Sequence, residues 1–261
     1  MRRYFSIWWR LAVMSAGATL ATPLGSLGFL LGKLIRLACF VGFLVAMFRH
    51  TPSLAGYNLA QVLVFFMTFN LVDVFSQLLF RGIYGIGRRV RDGYFDYYLV
   101  QPVRPLFRAA FHTFDLLDLL TLPPVLALTI AAIRALPVRP GPTESALFVL
   151  LLASGVALAF AIHVAVASAS VTTQSAESGV WIYRDLMTLA RYPSDIYAEG
   201  VRLLLTTVLP VAVIVTFPAK ALMGLLSTGG VLYALALAAA ANLAAARTWA
   251  WALRRYTSVP S

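Results

Sequence analysis

The sequence predicts an all-α integral membrane protein with six transmembrane helices, an N-terminal helix in the membrane interface and a re-entrant hairpin before the last span. Three observations carry that expectation. Charged residues make up 12% of the 261 residues and apolar residues 61%, whereas a water-soluble domain carries about 25% charged residues. Long stretches are nearly free of ionisable groups: residues 57–80 hold only Asp73, and residues 146–170 only His163. Each can cross a hydrocarbon core of about 30 Å, which takes roughly 20 helical residues. The apolar runs, such as 146–152, do not alternate with polar residues as barrel strands do, so helices remain as the spanning element.

Residues 1–24 read as the interfacial helix. Arg3, Ser6 and Arg10 are spaced by three and four and share one face, while Phe5, Trp8, Trp9 and Leu11 cover much of the rest. Cations then face headgroups and Trp marks the boundary. A cleaved signal peptide is the alternative, but Arg10 interrupts its apolar core. Spans follow at 27–48, 57–80, 109–133, 146–170, 172–189 and 230–253. Lys33 and Arg36 in the first are expected to snorkel to the interface. Pro123 and Pro124 are expected to kink the third. The fifth has the weakest apolar signal, because it holds Gln174, Glu177, Arg184 and Asp185. In the extracytoplasmic region 190–228, the apolar piece 201–217 has only 17 residues and is broken by Pro210. It reads as a re-entrant hairpin, with a full seventh span as the alternative.

Charge sets the orientation. With the N-terminus inside, the cytoplasmic segments hold fourteen Lys and Arg and the outer segments six, with Arg184 inside a span. That bias places both termini in the cytoplasm. The net charge of +11 suits contact with anionic membrane lipid. Nucleic acid is not an expected partner, since no basic soluble domain is available to hold it. The single cysteine, Cys39, excludes an internal disulfide and a zinc cluster built on several thiolates.

No catalytic constellation is present. Gly28 to Lys33 resembles a phosphate loop but is one residue short between its glycines, and Leu34 stands where Ser or Thr would hold magnesium. Gly28 and Gly32 read better as a small-residue helix contact, and the chain shows no ATP site or other cofactor site of its own. His50, His112 and His163 lie in three segments without metal-ligand spacing. Polar residues within spans carry more information, since each costs about 2.5–3.5 kcal/mol facing lipid. Asn70, Asp73, Gln77 and Arg81 form a stripe on the second helix. Asp115 and Asp118 share a face of the third, with His112 one turn earlier, and Glu177, Arg184 and Asp185 lie on the fifth. These residues either line a substrate path or subunit interface, or pair with one another, Asp73 with Arg81 or Arg184.

The basic, aromatic loop 81–108 is the most informative segment. Anionic lipid explains Arg88, Arg89 and Arg91 beside Asp92. It does not explain Tyr94, Phe95, Tyr97, Tyr98 and Leu99, an apolar set costly to leave in water. Aromatic anchors with charged flanks and a Pro stop suggest a short helix that docks in a partner's groove.

Gly93-Tyr94-Phe95-Asp96, followed by Leu99 and Gln101-Pro102-Val103-Arg104-Pro105-Leu106, resembles the G-x-(L/F)-D-x-x-L-x-x-P-(V/L)-x-P loop of ABC-2-type permeases, in a bacterial subgroup of about this length. Arg191-Tyr192-Pro193, Asp195-Ile196-Tyr197, Leu209-Pro210-Val211-Ala212 and Pro218-Ala219 are similar to that subgroup's region before its last helix. The resemblance implies a type V exporter-like fold in the bacterial inner membrane, with a cytoplasmic coupling helix over residues 88–99. It also implies a separate ABC ATPase that carries ATP and Mg, and a second permease, identical or different. An amphipathic or hydrophobic cargo is expected from the low fixed charge of the spans. An ion-gradient-driven transporter or a non-transporting scaffold is the alternative. A lipid-modifying enzyme would need a convergent catalytic set, and only His112, Asp115 and Asp118 come near one.

Overall fold

The computed structural model describes residues 2–173 and 178–258, which fold almost entirely into helices. An amphipathic helix α1 (Arg2–Leu20) leads into α2 (Pro23–Phe48), where Pro23 in the first turn restarts the helix. Pro suits that position, since its missing N–H would have no intrahelical partner there. In α1 only Ala12 is buried; Tyr4 and Trp8 pack edge-on against Phe107 and Phe114, and Phe5, Trp9 and Met14 stay exposed. α3 (Leu59–Phe80) opens on a reciprocal capping box between Asn58 and Gln61, which satisfies two orphan backbone donors. It is the most buried of the helices long enough to cross a membrane.

After α3 the chain makes a 3-10 turn (Arg81–Gly85) and three short helices, α4 (Ile86–Arg91), α5 (Asp96–Val100) and α6 (Pro105–Ala110). Gly93, at φ 72°, supplies the left-handed step between α4 and α5, which other residues adopt only with strain. α7 (Leu116–Arg134) follows, then α8 (Pro142–Thr173) and α9 (Ser178–Thr188). The last three are α10 (Glu199–Thr207), α11 (Val211–Leu222) and α12 (Thr228–Arg255). Among the described residues, five helices are long and apolar enough to cross a membrane, or six if the bent pair α10–α11 is counted as one span.

Two expected spans differ. The third begins at Leu116, not 109, because Asp115 caps the helix by accepting from the amides of Leu117 and Asp118. Residues 109–114 are apolar because they pack on α1 and the 3-10 turn; a Cβ on Gly82 would collide with the carbonyls of Ala109 and Ala110. His112 therefore precedes the helix. α7 continues through Pro123 and Pro124. Of the fifth expected span, residues 174–177 lie outside the described residues; Thr172 and Thr173 belong to α8, Ser178–Thr188 form α9, and Leu189 opens a 3-10 turn. Beyond α9 the chain runs on beside α3 through two 3-10 turns, Leu189–Arg191 and Ser194–Ile196. Tyr183 packs on His163, Arg191 lies over Phe69, and Asp195 accepts from the Tyr57 hydroxyl at 3.0 Å, near the start of α3. Such backbone is tolerated at membrane depth where protein buries it.

The pair α10–α11 breaks before Pro210 with a 97° bend. Thr207, Val208 and Pro210 reach the middle of α8, beside Leu158 and Ala161. The outer ends of both arms sit on one face, where Asp195 holds Arg202 of α10 at 3.7 Å and Lys220 of α11 at 2.8 Å. The two arms thus turn back on one another, the geometry of a broken span or a re-entrant loop. α11 is buried along its length between α8, α3 and α12, and a Cβ on Gly155 of α8 would strike the backbone of Ile214. Both described chain ends lie on the opposite face, with the 81–115 segment: Tyr4 contacts Phe107, and Tyr256 contacts Phe95.

The Asp195 tie is pH-sensitive. Burial pushes its carboxyl up, but the hydrogen bond and charge of Lys220, with Tyr57 and Arg202, prevail and hold it below its ordinary value. A depressed carboxylate contributes stability that is complete above its unfolded pKa of about 3.9 and lost as pH falls through the lower native value. Asp195→Asn is expected to lower the melting temperature in detergent at pH 7. The gap from the unmodified chain should then close below about pH 4; a gap constant down to pH 3 contradicts the tie.

Candidate functional sites: a polar cavity and a loop-face surface

α2, α3, α7, α9 and the turn after α9 enclose a cavity of about 810 Å³. The α3 stripe faces it through Asp73 and Gln77, and Arg81 continues the line from the 3-10 turn. Asn70 lines an adjoining cleft, its amide donating to the Phe66 carbonyl at 2.7 Å. Gln77 donates to the Tyr84 hydroxyl at 3.0 Å and reaches Asp73 at 3.5 Å. Tyr84 in turn stacks on the buried His163, 3.2 Å from its Nε2. Arg184 and Asp185 of α9 complete the far wall, with Arg184 over the rings of Tyr84 and Trp181. Glu177 lies outside the described residues.

The expected pairing of Asp73 with Arg81 or Arg184 does not occur. Arg81 instead hydrogen-bonds Asp115 and lies 3.6 Å from Asp118. Asp118 also accepts from Lys33 of α2 at 2.5 Å. Lys33 thus turns into the bundle, toward an aspartate 85 positions away in the chain. Among the described residues, Asp73, Asp185, Arg36, Arg184 and Arg191 form no ion pair. Lys33, Arg36 and Arg191 were not expected in the site. Only Arg36 had a signal: Gly25, Gly28, Gly32 and Arg36 are spaced by three, four and four, which puts small residues and a cation on one face of α2. A Cβ on Gly28 or Gly32 would meet nothing within 4 Å, so within this chain those glycines face open space.

The second feature is the 88–101 surface. Phe95 is completely buried beneath Trp249, Tyr256 and Tyr98, with ring centroids 6.2, 5.1 and 5.9 Å away. Tyr98 is buried as well, its hydroxyl 3.0 Å from Nδ1 of His112. Neither can enter a partner's groove. Tyr94, Tyr97, Leu99 and Val100 are the exposed apolar residues, at 61, 63, 41 and 80%. Arg89 turns inward to donate to the Gly82 carbonyl at 2.8 Å, whereas Arg88 and Asp92 face outward. Asp96 accepts from the Ser258 hydroxyl. Burial, and then the charges of Arg89 and Arg108, push His112 down to about 4. It is therefore neutral at pH 7, and its Nδ1 accepts from Arg108 at 3.1 Å. The surface is a platform: buried aromatics anchor it from beneath, and a different set of apolar side chains projects from it.

A bundle with several helices long and apolar enough to span a bilayer marks a multi-pass membrane protein. Residues 34–259 match the family model described as ABC-2 family transporter protein. The chain belongs to that family, and is a permease-type transport subunit of a kind that typically works with an ATPase subunit. Comparison with curated proteins and with solved structures gave no match.

Proposed function

We propose that this chain is the membrane subunit of an ATP-driven exporter whose separate ATPase docks on the platform formed by Tyr94, Tyr97, Leu99 and Val100. The observation that carries this reading is the exposed apolar set on a short helix fixed from below by Phe95 and Tyr98, since a cluster of exposed aromatics on a rigid support is the form of an interface anchor. ATP and Mg belong to the ATPase. The platform touches α12 through Phe95, Trp249 and Tyr256, and touches the cavity through Arg89, Gly82 and the neighbouring Arg81. Movement of the platform would thus reach both the outer helices and the cavity wall. The loop face is cytoplasmic, with both termini on it, in the bacterial inner membrane. Moving Lys33, Arg36 and Arg191 into the bundle leaves twelve cations on that face against five opposite, so the bias persists. Trp181 and Ile182 on α9 are exposed at 61 and 58% beside the open glycine face of α2, which supports a second permease closing the cavity. Cargo passes outward through that cavity, and lipid covers the remaining apolar surface. The test is co-expression with the candidate ATPase and purification through a tag on the permease. A complex that hydrolyses ATP is expected; an ATPase that never accompanies the folded permease contradicts the proposal.

A further inference from the structure

Beside the main cavity, α2, α3 and the turn at 189–191 form a small cleft of about 30 Å³. Its polar lining is Lys33, Arg36, Arg191 and Asn70, and its apolar lining includes Phe40, Phe66 and Phe69; no acidic residue lines it. Lys33 is engaged by Asp118. Arg36 and Arg191 form no ion pair among the described residues. The Arg191 guanidinium lies over the faces of Phe40 and Phe69, at 5.6 and 5.4 Å. Ring faces hold a cation without neutralising it. Both guanidiniums also border the larger cavity, where Asp73, one turn past Phe69, attracts Arg191 through its charge but makes no ion pair with it and bonds Gln77. Arg36 is the fourteenth of the 26 residues of α2, so this positive cleft sits near mid-depth in the bundle. Two guanidiniums facing one cleft repel each other. An unneutralised cation at membrane depth is costly unless water or a ligand meets it.

We infer that Arg36 and Arg191 seat the anionic head of an amphipathic molecule, a phosphate or carboxylate, with its apolar body along the phenylalanines and the adjoining cavity. Guanidinium forks match those oxyanions in a two-point geometry that water or a single halide does not use. The head belongs either to the exported cargo or to a resident anionic lipid. This inference names the cargo class for the cavity assigned above and rests on that reading for its transport meaning, though the binding itself does not.

The test uses the full-length permease alone in phosphatidylcholine nanodiscs, with radiolabelled dodecyl phosphate as probe and dodecyltrimethylammonium as its cationic counterpart. Saturable binding of dodecyl phosphate is expected. Arg36→Gln and Arg191→Gln should each weaken it about ten- to a hundredfold, the range for one charge-assisted hydrogen bond, without changing uptake of the cationic probe. Arg191→Lys, which keeps the charge, should recover part of the loss, and circular dichroism of each variant confirms folding. Competition by added phosphatidylglycerol would assign the seat to lipid; its absence would assign it to cargo. Equal binding by the unmodified and Gln proteins, or preference for the cationic probe, overturns the inference. An ATPase that fails to associate would sink the exporter reading while leaving this binding result intact.

Discussion

Tyr97→Asp combined with Val100→Asp abolishes recovery of the ATPase with the tagged permease, while the permease still inserts and folds. Both side chains project from the loop face, at 63 and 80% exposure, so a carboxylate there costs the isolated chain little. In the complex each change removes apolar contact and buries an unpaired charge. Truncating a central interface anchor alone costs about 2 kcal/mol or more, roughly thirtyfold in affinity, and a buried charge adds to that. Phe95→Asp has a different outcome. Phe95 is fully buried against Trp249 and Tyr256, and removing a large buried aromatic side chain costs about 3–5 kcal/mol even without an added charge. That variant should lose expression or melt early, taking ATPase binding with it. Retained ATPase with the double variant would remove the platform from the docking role.

The second large effect concerns Lys33. α2 buries little of itself in the bundle, with Leu37 and Leu44 its only buried residues. The Lys33–Asp118 pair ties its inward face to α7 at 2.5 Å, with 4% of the aspartate side chain exposed. Lys33→Met leaves that carboxylate facing only Arg81, at 3.6 Å and already bonded to Asp115. Removing one partner of a buried pair costs about 3–5 kcal/mol, because the other charge remains without compensation, whereas replacing both by apolar groups is often nearly neutral. Thermal unfolding in detergent should therefore rank Lys33→Met and Asp118→Leu well below the double variant Lys33→Met/Asp118→Leu. Additive losses, with the double variant the least stable of the three, would show that the two side chains do not act as a pair.

The long helices were legible because a bilayer imposes a simple rule: some 20 consecutive positions must be predominantly apolar. α2, α3, α8 and α12 follow from that rule alone. The failures occur where protein, not lipid, surrounds an apolar segment. Residues 109–114 read as the start of a span, yet they pack on α1 and Gly82, and Asp115 sets the helix start through its cap. The fifth expected span reads poorly because Arg184 and Asp185 face a cavity and because the chain changes from α-helix to 3-10 turns over 189–196. The polar stripe on α3 was visible in its spacing. The direction of Lys33 was not, since its partner comes from a distant segment and hydropathy carries no information about pairing. In the loop, composition pointed to an apolar surface patch, but a run of five aromatic and aliphatic residues cannot by itself tell buried anchors from projecting side chains. The fold divides them, turning Phe95 and Tyr98 inward and Tyr94, Tyr97, Leu99 and Val100 outward.

Sidedness of the platform can be read directly. With Cys39 replaced by serine and a single cysteine placed by Tyr97→Cys or Val100→Cys, a membrane-impermeant maleimide should label inside-out vesicles and leave intact cells unlabelled, and bound ATPase should block the vesicle reaction. Labelling from the outside of intact cells would contradict a cytoplasmic platform, and with it the docking of any ATP-driven engine there.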